Sequence, residues 1–237
     1  MISHIEALNV TKNYDGSLAL GQVNVRASSQ RVTSIVGVNG AGKTTLLKIL
    51  AGLETPSDGE VLIDAREVGP EELRTRCTMV FQKSVMLGGT VYGNVAYGLR
   101  INRTSSRDIP EKVKSALALV NLDGFEKRKA RKLSSGEQQR VAIARALALE
   151  REVLLIDEPT ANLDPANAMI IEQGIKESAR SRAVLLSTHN LSQARRLSHR
   201  VVHLYRGRVV EEGETTSFFA NPHDERTKLF INGELQY

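Results

Sequence analysis

The sequence predicts an α/β fold with a largely parallel sheet, and three observations carry that expectation. Short apolar, β-rich runs recur between longer helical patterns, the rhythm of strands joined by crossover helices. A glycine-rich stretch, Gly37-Val38-Asn39-Gly40-Ala41-Gly42-Lys43-Thr44, lies between an apolar strand pattern and a helical one. Between about Ser84 and Leu133 the strand signals fade and Asn102 to Arg107 form a polar stretch. A helical insert is therefore expected to emerge there from the α/β core.

Residues 5–10 open the series as a β-rich run. Residues 32–36 form an apolar strand that runs into the glycine-rich loop, and 43–50 continue as a helix. Residues 61–63 and 79–81 are short strands before the insert, within which 111–120 are amphipathic. A helix over 136–149 follows Leu133-Ser134-Ser135-Gly136, and 153–156 form a buried strand that ends in Asp157 and Glu158. A helix over 166–179 follows Pro165; residues 183–187, 201–204 and 208–211 complete the strands. After Thr215, the tail with Asn221-Pro222 and Asp224-Glu225-Arg226 is expected to be a short helical or irregular extension.

Composition limits the function. Apolar runs such as Val153-Leu154-Leu155-Ile156 fall far short of the roughly 18 consecutive residues that suggest a membrane span. If the chain serves transport, the pore belongs to another polypeptide. Residues Met1 to Glu6 do not resemble a secretory leader, so the chain is expected to stay in the cytosol. Cys77 is the only cysteine, which excludes an internal disulfide and a Cys-rich zinc cluster; it reads as a small buried apolar residue. The formal charge is +5, densest at Lys127, Arg128, Lys129, Arg131 and Lys132. That run has no interleaved aromatics to stack bases, so it reads as a solvated face and no nucleic-acid partner is expected.

The chemistry starts at the glycine-rich loop, which fits G-x-x-x-x-G-K-[ST], a phosphate loop. Gly37, Gly40 and Gly42 let backbone N–H groups approach phosphate oxygens, and the helix from Lys43 adds the positive end of its dipole. Lys43 is expected to reach the β- and γ-phosphates of a nucleoside triphosphate, and the Thr44 hydroxyl to complete a Mg²⁺ shell. Asn39, Ala41 and Thr45 belong to the same cradle. Asp157 would orient Mg²⁺ through water, while Glu158 would act on the attacking water as general base. Alone, such an acidic pair reads as a helix cap; the phosphate loop upstream favours catalysis.

Leu133-Ser134-Ser135-Gly136-Glu137 resembles the Leu-Ser-Gly-Gly-Gln signature of ATP-binding-cassette (ABC) transporter ATPases. The resemblance runs from Tyr14 to about Gly213. It implies that Ser134, Ser135, Gly136 and Glu137 touch the γ-phosphate held by a second protomer, in a head-to-tail homodimer that closes on ATP. Ser135 and Glu137 depart from the consensus, and a Cβ at Ser135 would hinder approach if its backbone needed φ > 0. The family places an aromatic on adenine where Tyr14 stands, and its Gln loop, which touches Mg²⁺ or water, where Gln82 stands. Ala161-Asn162-Leu163-Asp164 resembles the loop where protomers meet, and His189 the switch histidine on the γ-phosphate. His4, His199, His203 and His223 show no metal-ligand spacing.

The fold implied is α/β, a P-loop NTPase core with a largely parallel sheet, an N-terminal antiparallel β region and a helical insert. A single ABC ATPase domain over 1–237 is expected: 1–83 and 134–215 as the core, 84–133 as a helical subdomain, 216–237 as a C-terminal extension. Thr90 to Arg100 resembles the segment that receives a membrane subunit in uptake systems, and the tail resembles ATPases serving phosphate and tungstate uptake. The resemblance implies permease subunits, an extracytoplasmic substrate-binding protein and a place on the cytoplasmic face of the membrane. Oxyanion import is favoured, tungstate before phosphate. The rivals are amino-acid uptake, lipid or lipoprotein extraction, and a non-transport ATPase acting on nucleic acid or ribosomes.

Overall fold

The computed structural model describes residues 4–161 and 163–234. Its centre is a six-stranded sheet whose inner strands are mostly apolar and almost wholly buried because both faces are covered. β3 (Val32–Val36) lies between β8 (Ala183–Thr188) and β9 (Arg200–Tyr205), and β7 (Val153–Asp157) between β8 and β6 (Cys77–Val80), all parallel. β10 (Arg208–Glu214) closes one edge, antiparallel to β9.

Strand alternation sends successive side chains to opposite layers. From β7, Leu154 and Ile156 join Val184 and Leu186 of β8 in one core. That core is completed by α3 (Val91–Ile101), α4 (Ile109–Ala118), α5 (Ser135–Leu147) and α6 (Pro165–Ala179). Val153 and Leu155 join Ala183 and Leu185 on the other side, against α1 (Lys43–Leu50). A four-stranded antiparallel sheet closes that second core. It is ordered β2 (Ser17–Ser28), β1 (His4–Tyr14), β4 (Asp58–Ile63), β5 (Arg66–Glu67). Each fully buried Leu, Ile or Val contributes about 1.5–3 kcal/mol, so the two layers hold the sheet by burial.

The structure adds elements that the apolar runs do not announce. β2 alternates buried Val23, Val25 and Ala27 with exposed Gln22, Asn24 and Arg26, and Gln22 sits at φ 53 in an irregular stretch of the pairing with β1. Half of that strand faces water, so no continuous run marks it. α2 (Pro70–Arg76) and α7 (Leu191–Leu197) have seven residues each, too short for a helical period to stand out. Phe81 was expected within a strand but follows β6 and is exposed. The tail forms two short helices, α8 (Thr215–Ala220) and α9 (Glu225–Asn232). Phe230 of α9 stacks on the buried ring of His203, 4.6 Å between centroids. Cys77 is buried, which pushes its thiol up to about 12. Among the described residues no helix is long and apolar enough to cross a membrane.

Candidate active site

The parallel strands end together, and their carboxyl edge is where an open α/β sheet gathers a site. The loop after β3 turns through Gly37 (φ 152), Gly40 (φ 78) and Gly42 (φ 105). A Cβ on Gly37 would lie 2.1 Å from the Leu204 carbonyl oxygen, and one on Gly42 2.7 Å from that of Ala19. The loop is thus pressed against β9 on one side and β2 on the other. Gly42 is also the N-cap of α1 and offers no side chain to cap it, leaving the first N–H groups of that helix for an anion.

Lys43 is buried, and its ammonium donates to the carbonyls of Gly37 (2.7 Å) and Val38 (3.1 Å), with Glu158 Oε1 at 3.8 Å. Burial pushes this lysine below its ordinary range, opposed by the charges of Glu158 and Asp157. The Thr44 hydroxyl donates to Asp157 Oδ2 at 2.8 Å. Glu158 is buried at φ 47, a region that non-glycine residues rarely occupy. Its Oε2 lies 2.8 Å from Nδ1 of His189, whose side chain is 57% exposed. A cavity of about 280 Å³ is lined by Ala19, Asn39 to Thr45, Gln82, Asp157, Glu158 and His189. Hollows of about 460 to 560 Å³ elsewhere are larger. None joins phosphate-loop amides to paired acids, so chemistry rather than size selects this one.

Two residues that sequence reasoning passed over belong here. Ser187 is the register partner of Asp157, so their side chains share a face. Its hydroxyl donates to Asp157 Oδ1 at 2.5 Å and accepts from the Glu158 N–H at 3.2 Å. Its only sequence signal is a polar residue closing the apolar run from Ala183 to Leu186. Ala19 lines the cavity from β2, the strand that the sequence pattern hides.

Other expected residues lie apart. Tyr14 is exposed at the end of β1, outside the lining of this cavity, with the Lys12 ammonium 4.9 Å from its ring centroid. Ser134 caps α5, Ser135 is its first residue, and neither has positive φ, so the expected obstacle at Ser135 does not arise. Glu137 closes a capping box: it accepts from the Ser134 N–H (2.8 Å) and hydroxyl (2.9 Å). These bonds hold its carboxyl below its usual range. Gly136 is buried against Asn167. Asp164 caps α6 through the Asn167 N–H at 3.0 Å, while Asn162 lies outside the described residues.

Residues 20–161 match the ABC transporter family. The chain is 40% identical to PstB 2, a phosphate import ATP-binding protein of Natronomonas pharaonis, over 96% of its length and 86% of the relative's. It is 40% identical to TupC, the tungstate uptake system ATP-binding protein of Peptoclostridium acidaminophilum, over 91% of its length and 99% of the relative's. Among solved structures, cbiO1 of Clostridium perfringens, part of the ABC transporter complex cbiONQ, superposes with a TM-score of 0.83 at 29% identity. That match covers 95% of this chain and 93% of the other.

Proposed function

The chain belongs to the ABC transporter family and is an ABC-type ATPase, and from that premise we propose that it powers import of an oxyanion, tungstate ahead of phosphate. The observation that supports the ATP-hydrolysing part of this reading is the meeting of phosphate loop, Asp157, Glu158, Gln82 and His189 on one cavity. Gly40 to Thr45 and the free end of α1 bind the phosphates of ATP. Lys43 exchanges its loop carbonyls for phosphate oxygens. Glu158 takes the proton of the attacking water, with His189 beside it.

The oxygen donors of Thr44, Asp157 and Gln82 fit a hard divalent cation, and these residues would hold Mg²⁺, which would neutralise charge on the phosphates. Tyr14 would stack on adenine.

Ser134 to Glu137 act on nucleotide held by a second copy of the chain, since they lie outside this copy's cavity. The start of α5 suits that role: its hydroxyl and N–H groups make an anion site. Glu137 already engages the Ser134 hydroxyl, so contact with a phosphate exchanges one anionic acceptor for another.

Phe81, Val85, Tyr97 and Ile101 are exposed apolar side chains. Phe81 and Val85 border a hollow of about 390 Å³ shared with Gly98 and Leu149. Such a patch is covered in an assembly, here by permease subunits, with the ATPase on the cytoplasmic face of the membrane and a substrate-binding protein outside. The import relatives and the tail support an oxyanion cargo.

The test compares uptake of tungstate, molybdate and phosphate at trace levels in source cells carrying the normal chain or Glu158→Gln. Selective loss of tungsten or phosphorus accumulation is expected. Unchanged accumulation of all three would overturn oxyanion import and point to amino-acid or lipid transport.

A further inference from the structure

Glu158 keeps a sparsely populated backbone conformation, so something must hold the turn that carries it. On its N-terminal side the hold is visible: the Glu158 N–H donates to both the carbonyl (3.1 Å) and the hydroxyl (3.2 Å) of Ser187. On its C-terminal side the chain runs through Pro159 to Thr160, and Thr160 is gripped from α7. The Gln193 side-chain amide donates to Thr160 Oγ1 at 2.7 Å.

Gln193 is fully buried. Its amide nitrogen also points at Glu172 Oε1, 3.4 Å away, and a carboxylate only accepts, which fixes the orientation of the amide. Glu172 is itself buried and held by two bonds from Arg196, at 3.1 and 2.7 Å. The Gln193 amide oxygen is buried with no partner among the described residues. An apolar side chain of the same shape would avoid that desolvation penalty, so the two donated bonds are what the amide supplies.

The backbone of Gln193 is tied to the other half of the site. Its N–H donates to the Asn190 side chain at 3.0 Å, and Asn190 directly follows His189. One residue therefore spans the turn after Glu158 and the turn after His189, whose side chains meet at 2.8 Å. We propose that Gln193, oriented by the Glu172–Arg196 pair, is a positioning residue for hydrolysis that fixes Glu158 against His189 by gripping Thr160. The proposal rests on the catalytic reading of Glu158 given above. Gln193 is part of neither the phosphate loop nor the cavity lining, so its loss is expected to act on turnover and leave nucleotide binding alone.

The experiment measures steady-state phosphate release and nucleotide affinity for the whole chain, with thermal midpoints alongside. Gln193→Leu is expected to lower kcat about tenfold, with KM and affinity for ATP within twofold and the midpoint well above the assay temperature. Gln193→Glu, which sets a second carboxylate against Glu172, is expected to lose more. If Gln193→Leu does not fold, Thr160→Val removes the same bond from its half-buried end and is expected to give the same split. A kcat within twofold of the normal chain overturns the brace, as does a parallel fall of kcat and nucleotide affinity. Glu158→Gln serves as control: if it retains turnover, the catalytic reading itself fails, whatever Gln193 does.

Discussion

His189 and Glu158 meet at 2.8 Å, Nδ1 against Oε2, at the ends of neighbouring parallel strands. Nδ1 is the ring nitrogen turned to Glu158, and the other ring nitrogen faces away from it. The exposed imidazole thus holds a buried carboxylate in place from the solvent side, without displacing it from Lys43.

Glu158→Gln keeps the shape of the side chain and removes its capacity as a base. Phosphate release is expected to fall by roughly 100-fold or more, with ATP affinity within a few-fold and accumulation of an ATP-bound dimer. Single-turnover hydrolysis and size-exclusion chromatography with Mg-ATP check this.

Lys43→Ala removes a charged donor worth about 1.5–3 kcal/mol when it meets an anion. Nucleotide affinity is expected to drop roughly 10- to 100-fold, as read by titration with a fluorescent ATP analogue. The variant also leaves Glu158 without its cation at 3.8 Å.

Ser187→Ala deletes the 2.5 Å bond to Asp157 while the Glu158 N–H keeps the Ser187 carbonyl. Asp157 then turns more freely. The Mg²⁺ concentration for half-maximal turnover is expected to rise about tenfold, the scale of a charged hydrogen bond, with a smaller fall in turnover at saturating Mg²⁺. A Mg²⁺ titration of phosphate release at fixed ATP decides it.

Burial pushes His203 down to about 4, against weaker upward pulls from Asp224 and Glu211. Above the ordinary histidine range both folded and unfolded chains hold it neutral, and its contribution is complete. As pH falls toward 4 the unfolded chain takes up a proton that the folded one refuses, so stability is lost, on the order of 3 kcal/mol. His203→Gln keeps a hydrogen-bonding group opposite Thr227, whose hydroxyl lies 2.9 Å from Nδ1, and removes the titration. Urea unfolding at pH 7.5 and 4.5 is expected to show a smaller pH-dependent loss for the variant.

The phosphate loop and the acidic strand end are legible in the sequence because their chemistry is local. The loop needs glycines at set spacings, and strands covered on both faces read as unbroken apolar runs, as in Val153 to Ile156. β2 is not legible that way, because half its side chains face water. Ser187 and Gln193 are harder still. Neither residue has a motif, and their partners Asp157 and Thr160 lie 30 and 33 positions away, so only the register of β7 on β8 and the packing of α7 reveal them. Tyr14 shows the reverse case: its place in the chain suggests the site, while the end of β1 carries it outside the lining.

The phosphate loop is made well before several of its supports. β3 pairs with β8 and β9, Gly37 rests against the Leu204 carbonyl, and the Gly207 N–H donates to the Ala41 carbonyl at 3.0 Å. A ribosome therefore extrudes this loop with β2 already made but β8 and β9 still to come. Nascent chains that stop short of β9 carry the motif without the full cradle, so nucleotide can stabilise the protein only once β9 has emerged.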